Sequence, residues 1–141
     1  MYYRAKILIL DKAGDSDGVT PLYIACQKGH LEVVRLPILA GADNDDKGRV
    51  PLRCACFHSH VEIVRMLVVA GADKDKARNT DGVTPMFMAS QNGHLEVVRL
   101  LAEAGADKDK EDNDGETPLQ IARQIHHDDI VEMLQRAGAT R

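Results

Sequence analysis

The sequence contains few aromatic residues: no tryptophan, three tyrosines and two phenylalanines among 141 residues. With so few large rings available, a buried core has to be built from Leu, Ile, Val, Ala and Met. A chain of this length can still bury a sizeable core as one compact unit. The sequence therefore predicts one domain with an aliphatic core.

A basic surface, a long apolar run and a cysteine framework are also missing. The formal net charge is −4 with both signs interspersed, which argues against nucleic-acid binding because that requires a basic face. No apolar run approaches the ~18 residues of a membrane span, and residues 7–10 are too short an apolar stretch for a signal peptide. Three cysteines in a chain this long do not form a disulfide framework. We expect a soluble protein of the cytoplasm or nucleus that binds neither nucleic acid nor membrane.

A repeated segment fills most of the chain. Four similar tetrapeptides, each with proline in second place, occur at residues 20–23, 50–53, 84–87 and 117–120. A Gly-Ala pair begins 20 residues after each of these prolines. Residues 29–36 recur unchanged at 93–100, and with substitutions at 59–66 and 126–133. The spacing from proline to Gly-Ala is constant, whereas the spacing to the next proline varies. This pattern is expected when the constant part packs and the variable part reaches into solvent.

Each constant segment is predicted to form two helices. A threonine before the proline acts as the N-cap, and the proline takes the first helical position. The first helix ends at a glycine such as Gly29 or Gly93, which can adopt a left-handed conformation, and the second begins near the histidine that follows. Glu32 with Arg35, Glu62 with Arg65, and Glu96 with Arg99 are predicted exposed i,i+3 pairs. Since one helix pair cannot bury its own apolar face, neighbouring pairs must stack.

The third copy resembles the ankyrin consensus at residues 81–85, 89, 93–98, 100–101 and 105–107. The resemblance covers residues 18–140 and recurs in register. It implies an all-α fold, an ankyrin-type solenoid of helix–turn–helix repeats with projecting β-hairpin-like fingers. The predicted divisions of this single domain are a partial N-terminal repeat or cap (1–17), three repeats (18–47, 48–81 and 82–114) and a C-terminal repeat or cap (115–141).

The first junction departs from the repeat. Pro37 stands where the other copies have leucine, and a proline inside a helix costs roughly 3 kcal/mol or more. The loop that follows is three residues shorter than the loop after Gly105. Val50 replaces the helix-opening threonine, while Ser59 and His126 replace the glycine between the helices. We predict that the first junction is the weak point of the stack.

Both ends of the chain differ from the inner copies. Residues 5–14 can be aligned with residues 96–105 as half a repeat, or residues 11–21 with residues 75–85 without a gap. Either alignment leaves the N-terminus without a full outer repeat. At the other end, Glu132, Gln135 and Arg136 give the last helix the polar outer face that a terminal repeat requires.

Four potential zinc ligands lie within residues 54–60, namely Cys54, Cys56, His58 and His60. On a helix Cys54 and His58 share one face and Cys56 and His60 another, so neither face collects four ligands. The repeat register matches Cys54 with apolar positions, and the resemblance implies that the histidine recurring at His30, His60, His94 and His127 braces neighbouring loops by hydrogen bonds. We therefore predict no metal and no cofactor. A bond between Cys26 and Cys56 is not expected, because packed helices lie about 8–10 Å apart and a disulfide requires a Cα separation of about 5.5–6 Å.

Carboxylates are abundant in the predicted fingers. The alternation of Asp and Lys at residues 107–110 neutralises itself, so we expect a solvated surface there. Residues 112–115 are weakly similar to a calcium loop but lack its later ligands. No Ser–His–Asp elbow, phosphate-binding glycine loop or HExxH motif is present, and we predict no catalytic site.

The resemblance places the partner-binding surface at positions that vary between repeats, on the finger tips and first helices. We call these positions the strip: Ser16, Asp17, Val19, Gln27, Lys28, Lys47, Arg49, Phe57, His58, Thr80, Asp81, Val83, Gln91, Asn92, Asn113, Asp114, Glu116 and Gln124. Phe57 is the most distinctive member, since the equivalent positions hold glutamine. An exposed aromatic residue among polar neighbours is typical of a binding hot spot.

We expect a monomeric protein–protein interaction module that acts as an adaptor, scaffold or inhibitor. Two alternatives stay open from the sequence. The chain could be a regulatory or targeting fragment of a larger enzyme, or an engineered, consensus-derived scaffold without a natural ligand. Pro37 and the shortened loop argue against deliberate design, because both break local rules without a visible gain.

Overall fold

The computed structural model describes residues 21–32 and 51–140. Within these ranges the chain forms seven helices and no strand, so the prediction of an all-α fold is confirmed. The helices are α1 (Pro21–Lys28), α2 (Pro51–Phe57), α3 (Val61–Val69), α4 (Pro85–Gln91), α5 (Leu95–Glu103), α6 (Pro118–Gln124) and α7 (Asp128–Arg136).

The chain divides into two compact units, residues 1–72 and residues 73–141. In the first unit α2 packs against both α1 and α3. Most of the side chains buried there are small or aliphatic, in agreement with the predicted core: Ala25, Cys26, Leu52, Ala55, Cys56, Ile63, Val64 and Leu67. Arg53 is a buried charged residue of the same unit.

The second unit is built from two helix pairs. Helix α4 packs against α5 and α6, and α7 packs against α6 and α5. Its fully buried side chains are again mostly aliphatic: Met86, Val97, Val98, Leu101, Leu119, Ile130 and Leu134. Phe87 adds one buried ring.

The first helix of each pair in the second unit begins as predicted. Thr84 Oγ1 accepts a hydrogen bond from the backbone N–H of Phe87 at 3.1 Å. Thr117 Oγ1 accepts one from Gln120 N at 3.3 Å, and Gln120 Oε1 accepts one from Thr117 N at 2.9 Å. These bonds satisfy amide groups that a helix N-terminus otherwise leaves without a partner, with proline in the first turn of both helices.

The turn between paired helices requires a residue with the left-handed backbone conformation, in which φ is positive. Gly29 and Gly93 supply it with φ of +74° and +77°, as predicted. Ser59 and His126, which replace that glycine in the other two copies, adopt the same conformation with φ of +57° and +60°. The backbone of the turn is therefore retained although the residue type is not.

The second helices begin directly after the repeated histidine, which is the N-cap residue of α3, α5 and α7. Two predicted ion pairs are confirmed on their exposed faces: Arg65 Nε lies 3.5 Å from Glu62 Oε1, and Arg99 Nη1 lies 3.1 Å from Glu96 Oε1. Exposed pairs of this kind contribute only about 0.3–0.5 kcal/mol each.

The fingers of the second unit are short hairpin-like turns. Arg78 N donates to Val83 O at 2.9 Å, and Gly82 N donates to Arg78 O at 2.8 Å. The next finger repeats the arrangement, with Asp112 N donating to Glu116 O at 2.9 Å. Hydrogen bonds thus close both loops that precede a first helix.

Several predictions lie outside the described residues. They concern Pro37, Val50 and the shortened first loop, the Glu32–Arg35 pair, and the two alternative alignments of residues 5–21. The proposed repeat boundaries also stay a prediction.

Candidate functional site

Three rings form a row at the end of α2. The Phe57 and His58 rings meet edge to face, with centroids 4.8 Å apart and planes at 79°. The His58 and His60 rings stack, with centroids 5.8 Å apart and planes at 25°. The other residues of α2 are all buried, whereas the Phe57 side chain at its end is 46% exposed.

The ring row lies against the end of α1. His60 Nε2 donates a hydrogen bond to the carbonyl oxygen of Gln27 at 2.9 Å. The same ring covers Gly29 so closely that an added Cβ would lie 2.8 Å from the imidazole. The exposed residues Gln27 and Lys28 therefore lie beside the rings. We call Gln27, Lys28, Phe57, His58 and His60 the aromatic corner.

The same histidine contact recurs in the second unit. His127 Nε2 donates to the carbonyl oxygen of Gln91 at 3.2 Å, and a Cβ on Gly93 would lie 2.9 Å from the His127 ring. The role that the resemblance implied for these histidines, bracing the loop of the preceding pair, is thus confirmed for His60 and His127. The glycine is required for space as well as for its positive φ.

Strip positions of the second unit are mostly at the surface. The residues Thr80, Gln91, Asn92, Asn113, Asp114 and Gln124 are exposed, and Asp81 and Glu116 are half-buried. Their contact with a partner stays a prediction.

Three of these residues also have structural tasks that the sequence did not reveal. The Asp81 carboxylate accepts hydrogen bonds from Arg78 Nε at 2.8 Å and from Val83 N at 3.1 Å. Asn113 joins successive fingers, since its backbone N–H donates to Asp81 O at 2.9 Å. Asn92 Nδ2 donates to the Met88 carbonyl at 2.8 Å at the end of α4.

Val83 was placed in the strip by its register position, and this prediction is wrong. Its side chain is 6% exposed and packs with Phe87, Met88 and Ile121 in one apolar cluster. The finger turns inward at this residue, because the next residue, Thr84, is the buried cap of α4. Five further strip residues lie outside the described ranges: Ser16, Asp17, Val19, Lys47 and Arg49.

A family model described as ankyrin repeats (3 copies) matches residues 3–78 and residues 67–140. The chain belongs to the ankyrin-repeat family. Ankyrin repeats are generally protein–protein interaction modules and are typically non-catalytic. No curated protein matches the chain. Among the described residues, no helix is both long and apolar enough to cross a membrane.

Several carboxylates of the ankyrin fingers also hold the backbone in place. Asp75 Oδ1 accepts a hydrogen bond from Asp107 N at 2.8 Å, and Asp109 Oδ1 accepts one from Thr140 N at 3.0 Å. Both bonds span about one repeat, because they join residues 32 and 31 positions apart. Asp112 Oδ1 accepts from Asp114 N and Glu116 N at 3.0 and 2.9 Å, so its finger is shaped by its own side chain.

The cysteines of the first ankyrin unit are buried free thiols. Burial raises the pKa of Cys26 from 9.0 to about 12 and raises the pKa of Cys56 further. Burial also raises the pKa of Cys54, partly opposed by a hydrogen bond from Tyr23. Protonated thiols are poor nucleophiles and poor metal ligands. Within the described ranges, no three His, Cys, Asp or Glu side chains are grouped to hold a metal ion.

A second surface feature is the groove between the ankyrin helices α5 and α7, lined by apolar side chains that include Met133 and by several charged ones. Arg99 pairs with Glu96 at 3.1 Å, and Arg136 pairs with Glu132. These cations already have carboxylate partners on their own helices.

Proposed function

We propose that this ankyrin chain binds a partner protein through exposed residues of the strip, and that Phe57 in the aromatic corner is the anchor of the contact. The observation that carries the proposal is the exposure of Phe57, at 46%, at the end of a helix whose other residues are buried. The equivalent residues Gln27, Gln91 and Gln124 are polar. An apolar ring at this one position gives the surface a feature that its neighbours lack.

The packing around Phe57 supports this role. Its ring is held edge-on by His58, which in turn stacks on His60, and His60 is fixed by its hydrogen bond to Gln27 O. A ring held before binding loses little side-chain entropy on association, so more of its apolar contact energy appears as affinity. Hot-spot residues are typically aromatic and are surrounded by polar groups that exclude water.

The second unit offers polar contacts of a different kind. Thr80, Gln91 and Asp114 are exposed on its fingers and first helix. Amide, hydroxyl and carboxylate groups in such positions add specificity, since each must find a matching hydrogen-bond partner. We propose that they make polar contacts with a partner protein.

The test is the loss of partner binding in the Phe57→Ala variant. Proteins recovered by proximity labelling with the wild-type chain are expressed, and their affinities for both chains are measured by calorimetry. We expect Phe57→Ala to weaken binding by more than about 1 kcal/mol, because truncation removes the anchor. Helix content measured by circular dichroism should stay unchanged, since the ring is half exposed.

Val69→Ala is the matched control. Val69 is an exposed apolar residue of the same unit, with 83% of its surface accessible, and it lies outside the strip on α3. We expect this variant to bind with wild-type affinity. Equal affinity of the wild-type chain and Phe57→Ala for every partner recovered would refute the proposal.

A further inference from the structure

The two helices that form the aromatic corner contain no carboxylate. The sequence of α1 is PLYIACQK and that of α2 is PLRCACF, and the turns that follow them, residues 29–30 and 58–60, also contain none. Glu32 and Glu62 come after these turns, and Glu62 pairs with Arg65. Among the described residues, the two first helices and their turns therefore carry no negative charge.

A positive group lies at the end of α1 that contacts the ring row. Lys28 is the last residue of α1 and is exposed. The hydrogen bond from His60 to Gln27 O brings this end of α1 next to the ring row. An apolar ring, an ammonium group and an amide side chain are thus presented together on one surface.

We propose that the aromatic corner binds a partner protein segment in which an apolar side chain stands next to carboxylates. This inference rests on the proposed function and names the chemistry of the partner. The apolar side chain packs on Phe57, where its burial contributes most of the affinity. A neighbouring carboxylate accepts a charge-assisted hydrogen bond from Lys28, which selects against basic segments.

In the second unit the charged strip residues are acidic, namely Asp81, Asp114 and Glu116. A carboxylate-bearing segment is therefore expected at the aromatic corner and not at the fingers of the second unit.

The probe is a displayed library of random 12-residue peptides, selected on the full chain. Selected peptides are then measured against Phe57→Gln, which installs the residue of the equivalent positions, and against Lys28→Glu. We expect Phe57-dependent peptides to be enriched in Asp or Glu beside an aromatic or aliphatic residue. Both variants should weaken them by about tenfold or more, and raising the salt from about 50 to about 500 mM should weaken them further.

Lys76→Glu is the matched control. Lys76 is an exposed finger residue outside the strip, and its reversal changes the net charge by the same amount as Lys28→Glu. We expect its affinities to stay within about twofold of wild type, because Lys76 belongs neither to the aromatic corner nor to the strip.

Two results separate this inference from the proposed function. Phe57-dependent peptides that are basic or uncharged, and that Lys28→Glu leaves unaffected, would overturn the inference while leaving the function in place. A library that yields no Phe57-dependent peptide would contradict both. Phe57-dependent binding of fluorescein-labelled 12-nucleotide oligo(dT) or oligo(U) would also overturn the inference, in favour of a single-stranded nucleic acid that stacks on the rings.

Discussion

At the scale of single residues, Ser59 and His126 hold a backbone conformation that glycine adopts at Gly29 and Gly93. A residue with a Cβ in the left-handed region costs about 1–2 kcal/mol, because the Cβ approaches the following carbonyl oxygen. The turn is maintained because the helices on either side of it bury their apolar faces. In these two copies, part of the free energy gained by packing therefore offsets backbone strain.

The substitution His126→Gly should stabilise the chain. Removing the Cβ relieves the strain at φ +60°, while the greater freedom of glycine in the unfolded chain offsets part of the gain. We expect the free energy of unfolding to rise by about 0.5–1 kcal/mol, measured by urea denaturation followed by circular dichroism.

Gln135→Gly controls for the change in chain entropy. Gln135 is exposed inside α7, where glycine has no conformational advantage. This variant should be less stable than wild type by up to about 1 kcal/mol. A decrease of similar size in His126→Gly would show that the turn is not strained.

At the scale of the elements, each helix pair of the second unit is started by a threonine cap. Thr117 is fully buried, and its reciprocal bonds with Gln120 satisfy amide groups at the start of α6. Loss of a buried cap leaves these groups without a partner and without access to water. The start of the helix is therefore sensitive to one hydroxyl group.

We expect Thr117→Ala to lower the free energy of unfolding by about 1–2 kcal/mol. Thr117→Ser keeps the oxygen that accepts the hydrogen bond and should retain most of the stability, although it loses one buried methyl group. The two variants are compared by urea denaturation under the same conditions. Equal losses in both would assign the effect to packing and contradict the capping argument.

At the scale of the whole molecule, the buried thiols connect folding with pH. An unfolded chain loses thiol protons near pH 9, whereas burial keeps Cys26 protonated up to about pH 12 and raises the pKa of Cys56 as well. Between these values the unfolded state binds fewer protons than the folded state. The stabilisation that comes from keeping these thiols protonated is therefore complete below pH 9. As the pH rises through this window, the free energy of unfolding falls by up to about 1.4 kcal/mol per pH unit for each thiol.

The measurement is the slope of the free energy of unfolding between about pH 8 and about pH 10. A variant with both Cys26→Ala and Cys56→Ala is expected to be less stable at every pH but to show a shallower slope. The two chains differ only at residues 26 and 56. The difference between their slopes therefore measures the contribution of the two cysteines. Identical slopes would mean that the folded chain does not protect these thiols.

The sequence by itself determined where the described helices lie. The period of the repeat, the Thr-Pro starts and the turn glycines are local signals, and each acts through the backbone of a few neighbouring residues. The repeat also located the recurring histidine, whose bracing role the resemblance to ankyrin repeats implied, and the composition indicated the aliphatic core. The sequence also singled out Phe57, because an aromatic ring stands there in place of the glutamine of the other copies.

Only the tertiary structure decided which residues at variable repeat positions face solvent and which are buried or bonded to another part of the fold. Val83 occupies a variable position yet is buried, and Asp75 and Asn113 resemble solvated residues yet bond to a finger about one repeat away. These outcomes depend on contacts between segments more than 30 positions apart. A local pattern cannot predict them, because a carboxylate that faces water and one that faces a distant amide have the same sequence neighbours.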